Sequence, residues 1–142
     1  MSAMSRTLKW ALLLAVVAAP WLSGLSFPFL YDDLGMISEN GFLEDPANLG
    51  PVLAGRTMVD PQVVNGRRPA VLASYFLDRA LYGLQPAGWR ATSLLLHLGC
   101  VALWMALLRR LGCGGFLTAA AGVLFGLHPV LTEAVHAPGF RA

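Results

Sequence analysis

The sequence predicts an all-α integral membrane protein with about three transmembrane helices and an interfacial amphipathic helix in its first external loop. Three observations carry this. The 142 residues are 56% hydrophobic and only 13% charged, against about a quarter charged in ordinary soluble domains. Mean hydropathy is +0.61. The apolar residues collect in runs of bilayer length, and basic residues stand at one end of those runs.

The first predicted span covers residues 10–30. Arg6 and Lys9 precede it, so the positive-inside rule puts the N-terminus in the cytoplasm and Tyr31 outside. A cleaved signal peptide is the rival reading. It is disfavoured because the apolar run continues through Trp21, Leu25, Phe27 and Phe29, and because Pro20-Trp21 is a poor cleavage site. Residues 31–90 form the external loop. Its first part holds six of the chain's eight acids, with turn signals at Asn40-Gly41, Asp45-Pro46, Gly50-Pro51 and Asn65-Gly66; one or two short helical turns are expected there. Residues 69–84 read as a helix that begins at Pro69 and stops at Gly83 and Pro86. Its narrow polar stripe, Ser74 and Asp78, places it flat at the membrane surface with its tyrosines at headgroup level.

The second predicted span covers residues 91–108, and Arg109-Arg110 mark a cytoplasmic end. After a turn at Cys113-Gly114-Gly115 the third, residues 112–127, returns outward and ends at His128-Pro129. The C-terminus is then external. The near-exclusive use of arginine over lysine hints at a GC-rich bacterial source, hence the bacterial inner membrane. The chain is expected to be the N-terminal part of a larger membrane protein.

Several function classes are excluded or unsupported. A net charge of +2 offers no clustered basic face for nucleic acid. Cys100 and Cys113 have no C-x-x-C spacing. His97, His128 and His136 lack metal-ligand spacing, and no nucleotide loop or nucleophile elbow is present. No cofactor is therefore called for, and a divalent cation requirement stays open.

The candidate chemistry lies in the acids. Asp32 and Asp33 follow the first span directly, where one carboxylate can act as general base while the other orients a partner or binds a cation; an acidic loop start that only keeps the chain in water is the plain alternative. Glu133 follows the third span, as a second external acid or a solvated loop residue. His97 lies about seven residues inside the second span, either as a functional group or in an interhelical hydrogen bond. Arg68, extended before Pro69 and next to a helix N-terminus, can hold a lipid phosphate or touch headgroups without specificity.

The order of Arg68-Pro69, Leu77-Asp78, Leu81-Tyr82-Gly83-Leu84-Gln85-Pro86, Leu94-Leu95-Leu96-His97 and Leu124-Phe125-Gly126-Leu127-His128-Pro129-Val130-Leu131-Thr132-Glu133-Ala134-Val135 resembles the N-terminal part of the membrane O-mannosyltransferase family with C-terminal tetratricopeptide repeats, and of its bacterial relatives. The resemblance covers nearly the whole chain, and the His-Pro-x-x-Thr-Glu-Ala-Val run is its most specific part. It implies a partial GT-C glycosyltransferase fold and transfer of a sugar from a polyprenyl-phosphate donor to a protein hydroxyl on the external face. It implies Asp32 or Asp33 as the base and Glu133 as an active-site acid. Arg68, His97 and His128 are the implied substrate-binding positions. The chain departs from the pattern at Arg90 and Ser93, where the family has His and Asn, and at Gly139-Phe140-Arg141, where it has Gly-Arg. A site assembled from several loops implies inactivity for this part alone. A non-catalytic three-span anchoring or assembly module, and a secreted protein released from its first segment, are the competing functions.

Overall fold

A computed structural model describes residues 6–141; Met1 to Ser5 and Ala142, which the predicted cytoplasmic and external termini include, lie outside the described residues. The described residues are helices, helical turns and loops, with no strand among them. Helix α1, Arg6–Ala18, passes without a break into a 3₁₀ stretch, Ala19–Ser26. Pro20 sits at the head of that stretch, where its missing N–H changes the hydrogen-bond pattern. Thr7–Ser26 is long and apolar enough to cross a membrane. The helix stops at Ser26 rather than Leu30 because Pro28 forces Phe27 into an extended conformation (φ −68°, ψ 146°).

The loop after the first helix is more ordered than its sequence predicts. Turns at Leu34–Ser38, Gly41–Leu43, Pro46–Asn48 and Arg56–Val59 flank a short helix α2, Leu49–Leu53. The Asn40 and Asp45 side chains accept the N–H groups of Phe42 and Ala47, fixing two of these turns locally. The turns and α2 carry Ile37, Leu43 and Val52 inward onto Leu72, Tyr75, Phe76 and Trp89. The loop is thus a packed cap over α3, Pro69–Tyr82.

Helix α3 starts at Pro69 as expected and ends two residues early, at Tyr82, because Gly83 adopts φ +58°. Its polar stripe points into the protein. Asp78 is fully buried and Tyr75 is 1% exposed, so Tyr75 is not at a headgroup surface; its hydroxyl is taken by backbone carbonyls of residues 138 and 139. Leu77 and Leu81 form the exposed apolar edge.

Helix α4, Pro86–Arg110, begins at Pro86 instead of Ala91, proline again fitting the first turn. It is the second helix able to cross a membrane. Helix α5, Gly115–Gly126, is too short to cross alone. It can form a third span only as a bent pair with Pro129–His136, at 49°. Helix α6, Thr132–His136, is the last part of that pair. The bend follows from Pro129, which cannot continue the α5 hydrogen-bond ladder.

Thr118, Gly122 and Gly126 are buried on α5 at four-residue spacing. Such small residues let helix backbones approach closely in a membrane. A Cβ at Gly126 would lie 2.5 Å from Val17 Cγ1, and one at Gly122 would lie 2.6 Å from Met105 Sδ. Val17, Val101 and Met105 form the core between α1, α4 and α5. The Gly126 carbonyl, freed at the end of α5, accepts the Trp21 indole N–H at 3.2 Å and has His97 Nε2 at 3.0 Å. Outside this core, Leu95, Leu103, Leu117 and Leu124 stand exposed, as lipid-facing residues do.

The bundle has two chemically distinct ends. Lys9 of α1 and Arg109 of α4 line one hollow. Asp33, Arg90 and Glu133 line another. Arg90 and Arg109 are separated by 19 positions of one helix, or about 28 Å at 1.5 Å per residue.

Candidate functional site

The acidic loop is shaped by Tyr31. This residue adopts φ +50°, a left-handed conformation that side chains with a Cβ avoid at a cost of about 1–2 kcal/mol. Residues so held occur at turns that the surrounding structure over-determines. The turn separates the two acids. Asp32 is left exposed. Asp33 is driven inward and is 1% exposed.

Arg90 meets it there. The Arg90 and Asp33 side chains are 2% and 0% exposed, with Nη2 to Oδ2 at 3.7 Å. The same guanidinium donates to the carbonyl of Phe27, to that of Pro28 at 2.6 Å, and to that of His136 at 2.8 Å. Those first two carbonyls are open because the chain after α1 is extended. One side chain near the start of α4 therefore ties the exit of the first helix, the acidic loop and the end of α6. Asp33 Oδ1 accepts the Gly139 N–H at 2.8 Å, while buried Oδ2 makes no hydrogen bond. Burial raises the Asp33 pKa above 3.8; the Gly139 and Leu30 backbone and the Arg90 charge oppose the rise, and Asp32 adds to it.

A second ion pair holds the segment that carries Gly139. Arg141 donates to Asp78 Oδ2 at 2.6 Å, to Ser74 at 2.9 Å, to Ser93 at 3.2 Å and to the Trp89 carbonyl at 3.0 Å. Thr92 donates to the other Asp78 oxygen at 2.7 Å. The Tyr75 hydroxyl donates to the Pro138 and Gly139 carbonyls at 2.8 and 2.9 Å. Its burial pushes its pKa up to about 12. A Cβ on residue 139 would lie 3.1 Å from Asp33 Oδ1, so glycine admits the close approach.

Around this frame lies a hollow of about 360 Å³, whose lining includes Leu30, Tyr31, Asp33, Arg90, Glu133 and His136. Its size is that of a small-ligand cleft. Glu133 is exposed on the first turn of α6. The His136 ring packs edge-on against Trp21 and Phe27, with Nε2 3.2 Å from the Trp21 carbonyl.

Of the sequence-predicted residues, Asp33 and Glu133 thus share one hollow, and Asp32 stands on its adjoining loop. The other three lie elsewhere. His97 is buried between α4 and α5 on the Gly126 carbonyl, edge-on to Trp21. His128 is exposed, and its Nδ1 accepts the Val130 N–H at 3.3 Å, capping the turn at Pro129–Leu131. Arg68 is exposed before α3, where it lines a separate hollow with Asp60, Asn65 and Arg67. No group of three or more His, Cys, Asp or Glu side chains able to hold a metal occurs among the described residues.

Arg90, Asp78, Arg141 and His136 escaped the sequence-based candidate set. Arg90 carried a usable signal: a lone arginine at the head of an apolar helix must find a partner. Arg141 carried only the imperfect match of Gly139-Phe140-Arg141 to the family's Gly-Arg, and nothing local points to its carboxylate 63 positions upstream.

The chain is 34% identical over 121 residues to protein O-mannosyl-transferase Tmtc1 of Drosophila melanogaster, an alignment covering 81% of this chain and 14% of that protein. It is 30% identical over 125 residues to protein O-mannosyl-transferase TMTC2 of mouse and of human, covering 85% of this chain and 15% of each relative. The chain spans 14–15% of the length of these curated relatives. No family model matches, and no solved structure matches.

Proposed function

The chain belongs to the membrane O-mannosyltransferase family of these relatives, and from that premise we propose that it supplies the acidic-loop part of a glycosyltransferase site. In this reading a sugar passes from a polyprenyl-phosphate donor to a protein hydroxyl on the external face of the membrane. That face is the one bearing residues 31–90 and Glu133, with Lys9, Arg109 and Arg110 on the cytoplasmic side, as the positive-inside rule requires.

The division of labour between Asp32 and Asp33 carries the proposal. A general base must reach the acceptor proton. Asp32 is exposed on the loop between Tyr31 and Asp33, both of which line the hollow, whereas the Asp33 carboxylate is held by Arg90 and the Gly139 N–H. Asp32 is accordingly assigned as base. It removes the acceptor proton as the hydroxyl oxygen forms the new bond to the anomeric carbon, and the lipid phosphate departs with the electrons of the breaking bond. Asp33 is the positioning residue that fixes the loop. Glu133 stands at the hollow as a second acid, available to orient the acceptor. His128, Arg68 and His97 do not line this hollow. Contact of His128 or Arg68 with the donor phosphate requires groups from elsewhere in the longer protein, and the His97 bond to Gly126 favours structural support.

The experiment is sugar transfer by the full-length protein. Asp32→Asn is expected to lower kcat at least 100-fold, the scale of a lost general base, while membrane insertion and the unfolding midpoint stay unchanged. Transfer within twofold of wild type would refute the assignment. With partner binding lost instead on changing the exposed apolar helix faces, it would favour the anchoring module.

A further inference from the structure

The basic end of the bundle holds a hollow of about 610 Å³ between α1, α4 and α5, lined by Lys9, Trp10, Leu13, Met105, Arg109, Gly115, Thr118 and Ala119. Its lining is partitioned. Leu13, Met105 and Ala119 make an apolar wall along the helices, and the cations Lys9 and Arg109 stand beside Trp10. Arg109 Nη1 donates to the Cys113 carbonyl at 2.9 Å, which holds the guanidinium at the α4–α5 turn. Among the described residues no acid lines this hollow. The positive charge at this end is therefore not neutralised locally. Helix α5 opens here with no side-chain cap on its first turn, which adds partial positive charge at the same mouth.

We propose that this hollow binds one anionic phospholipid, its headgroup phosphate between Lys9 and Arg109 and its acyl chains along Leu13, Met105 and Ala119. Charge complementarity and the apolar wall together select this occupant. A free phosphate leaves the wall bare, and a zwitterionic lipid brings a choline into the cationic mouth. Basic pockets between membrane helices recognise headgroups in this way. Trp10 stands where an amphipathic ring anchors a helix at the interface. The hollow lies about 28 Å along α4 from the acidic site, so the inference is independent of the proposed transfer chemistry.

Native mass spectrometry of the full-length protein tests it, with dioleoyl-phosphatidylglycerol and dioleoyl-phosphatidylcholine offered separately in detergent micelles. Wild type is expected to hold phosphatidylglycerol over phosphatidylcholine. Lys9→Gln and Arg109→Gln should each weaken that binding roughly fivefold, and the pair about 25-fold, leaving one fewer bound lipid. Arg110→Gln is the control, since Arg110 is exposed on the same helix end but does not line the hollow; it should change binding by less than twofold. Equal losses for Arg110→Gln and Arg109→Gln would show diffuse attraction and overturn the site. Undiminished binding in the double variant, with an unchanged unfolding midpoint, would overturn it as well. Inorganic phosphate binding as tightly as the lipid, with the same dependence on both cations, would overturn the lipid as occupant.

Discussion

Removing the Arg90 guanidinium should be the most damaging single change available at the acidic site. Arg90→Leu keeps the apolar stem in place but strips the counter-charge from a carboxylate whose side chain is 0% exposed. Breaking a buried pair from one side costs about 3–5 kcal/mol. The carbonyls of Phe27, Pro28 and His136 lose a donor as well, which puts the expected loss at the upper end of that range. The assay is denaturant unfolding in mild detergent, read by tryptophan fluorescence. Asp33→Leu in the Arg90→Leu background removes the stranded charge and should return about half of the loss. Acidification should do the same without a second mutation. Burial already places the folded Asp33 pKa above 3.8, and losing Arg90 removes an opposing influence. The folded variant then binds a proton that the unfolded chain does not bind, in the window from 3.8 up to the folded value. Its stability therefore rises as pH falls through that window. The gap to wild type, whose Asp33 is raised less, should narrow on going from pH 7 to pH 4. A loss below about 1 kcal/mol at pH 7, or a gap that widens in acid, would refute the account of Arg90 as the charge partner of Asp33.

Further outcomes follow from the packing. Gly126→Ala drives a Cβ against Val17 Cγ1, a branched side chain in a closed helix contact; a loss of about 1–3 kcal/mol is expected in the same unfolding assay, and neutrality would show that α1 and α5 separate freely. Tyr75→Phe leaves two carbonyls of the 137–141 segment without their donor, at about 1–3 kcal/mol. In the wild type, ultraviolet titration of Tyr75 should show a midpoint near 12 while the fold persists. Because that value is raised, stability should fall as pH climbs above 10; a Tyr75 midpoint at 10 in the folded protein would contradict its burial.

Composition and flanking charge pick out the two helices that are long and apolar enough to cross a membrane, since a bilayer-length apolar run bounded by Arg or Lys has few other uses. The ends were harder. Phe29 and Leu30 look like helix by hydropathy, yet Pro28 prevents it. The third expected span, residues 112–127, corresponds to α5, which reaches membrane length only as a bent pair with Pro129–His136. The small-residue ladder Thr118-Gly122-Gly126 was readable in principle. For the site, adjacency singled out Asp32 and Asp33, but their opposite burial depends on the backbone turn at Tyr31, a conformation that residue type alone disfavours. The separation of His97 and Arg68 from Asp33 was invisible for the same reason that Arg141 was: side chains meet here across tens of positions, and local pattern carries no information about such pairs.

The Arg90 junction also sets an order of assembly. The carbonyls of Phe27 and Pro28 accept from a residue 63 and 62 positions later, and Asp33 Oδ1 accepts the N–H of Gly139, 106 positions later. At a synthesis rate of about 5–20 residues per second, that interval lasts about 5–20 s. Until then the buried Asp33 carboxylate lacks the Gly139 N–H, and the acidic turn is held without that bond.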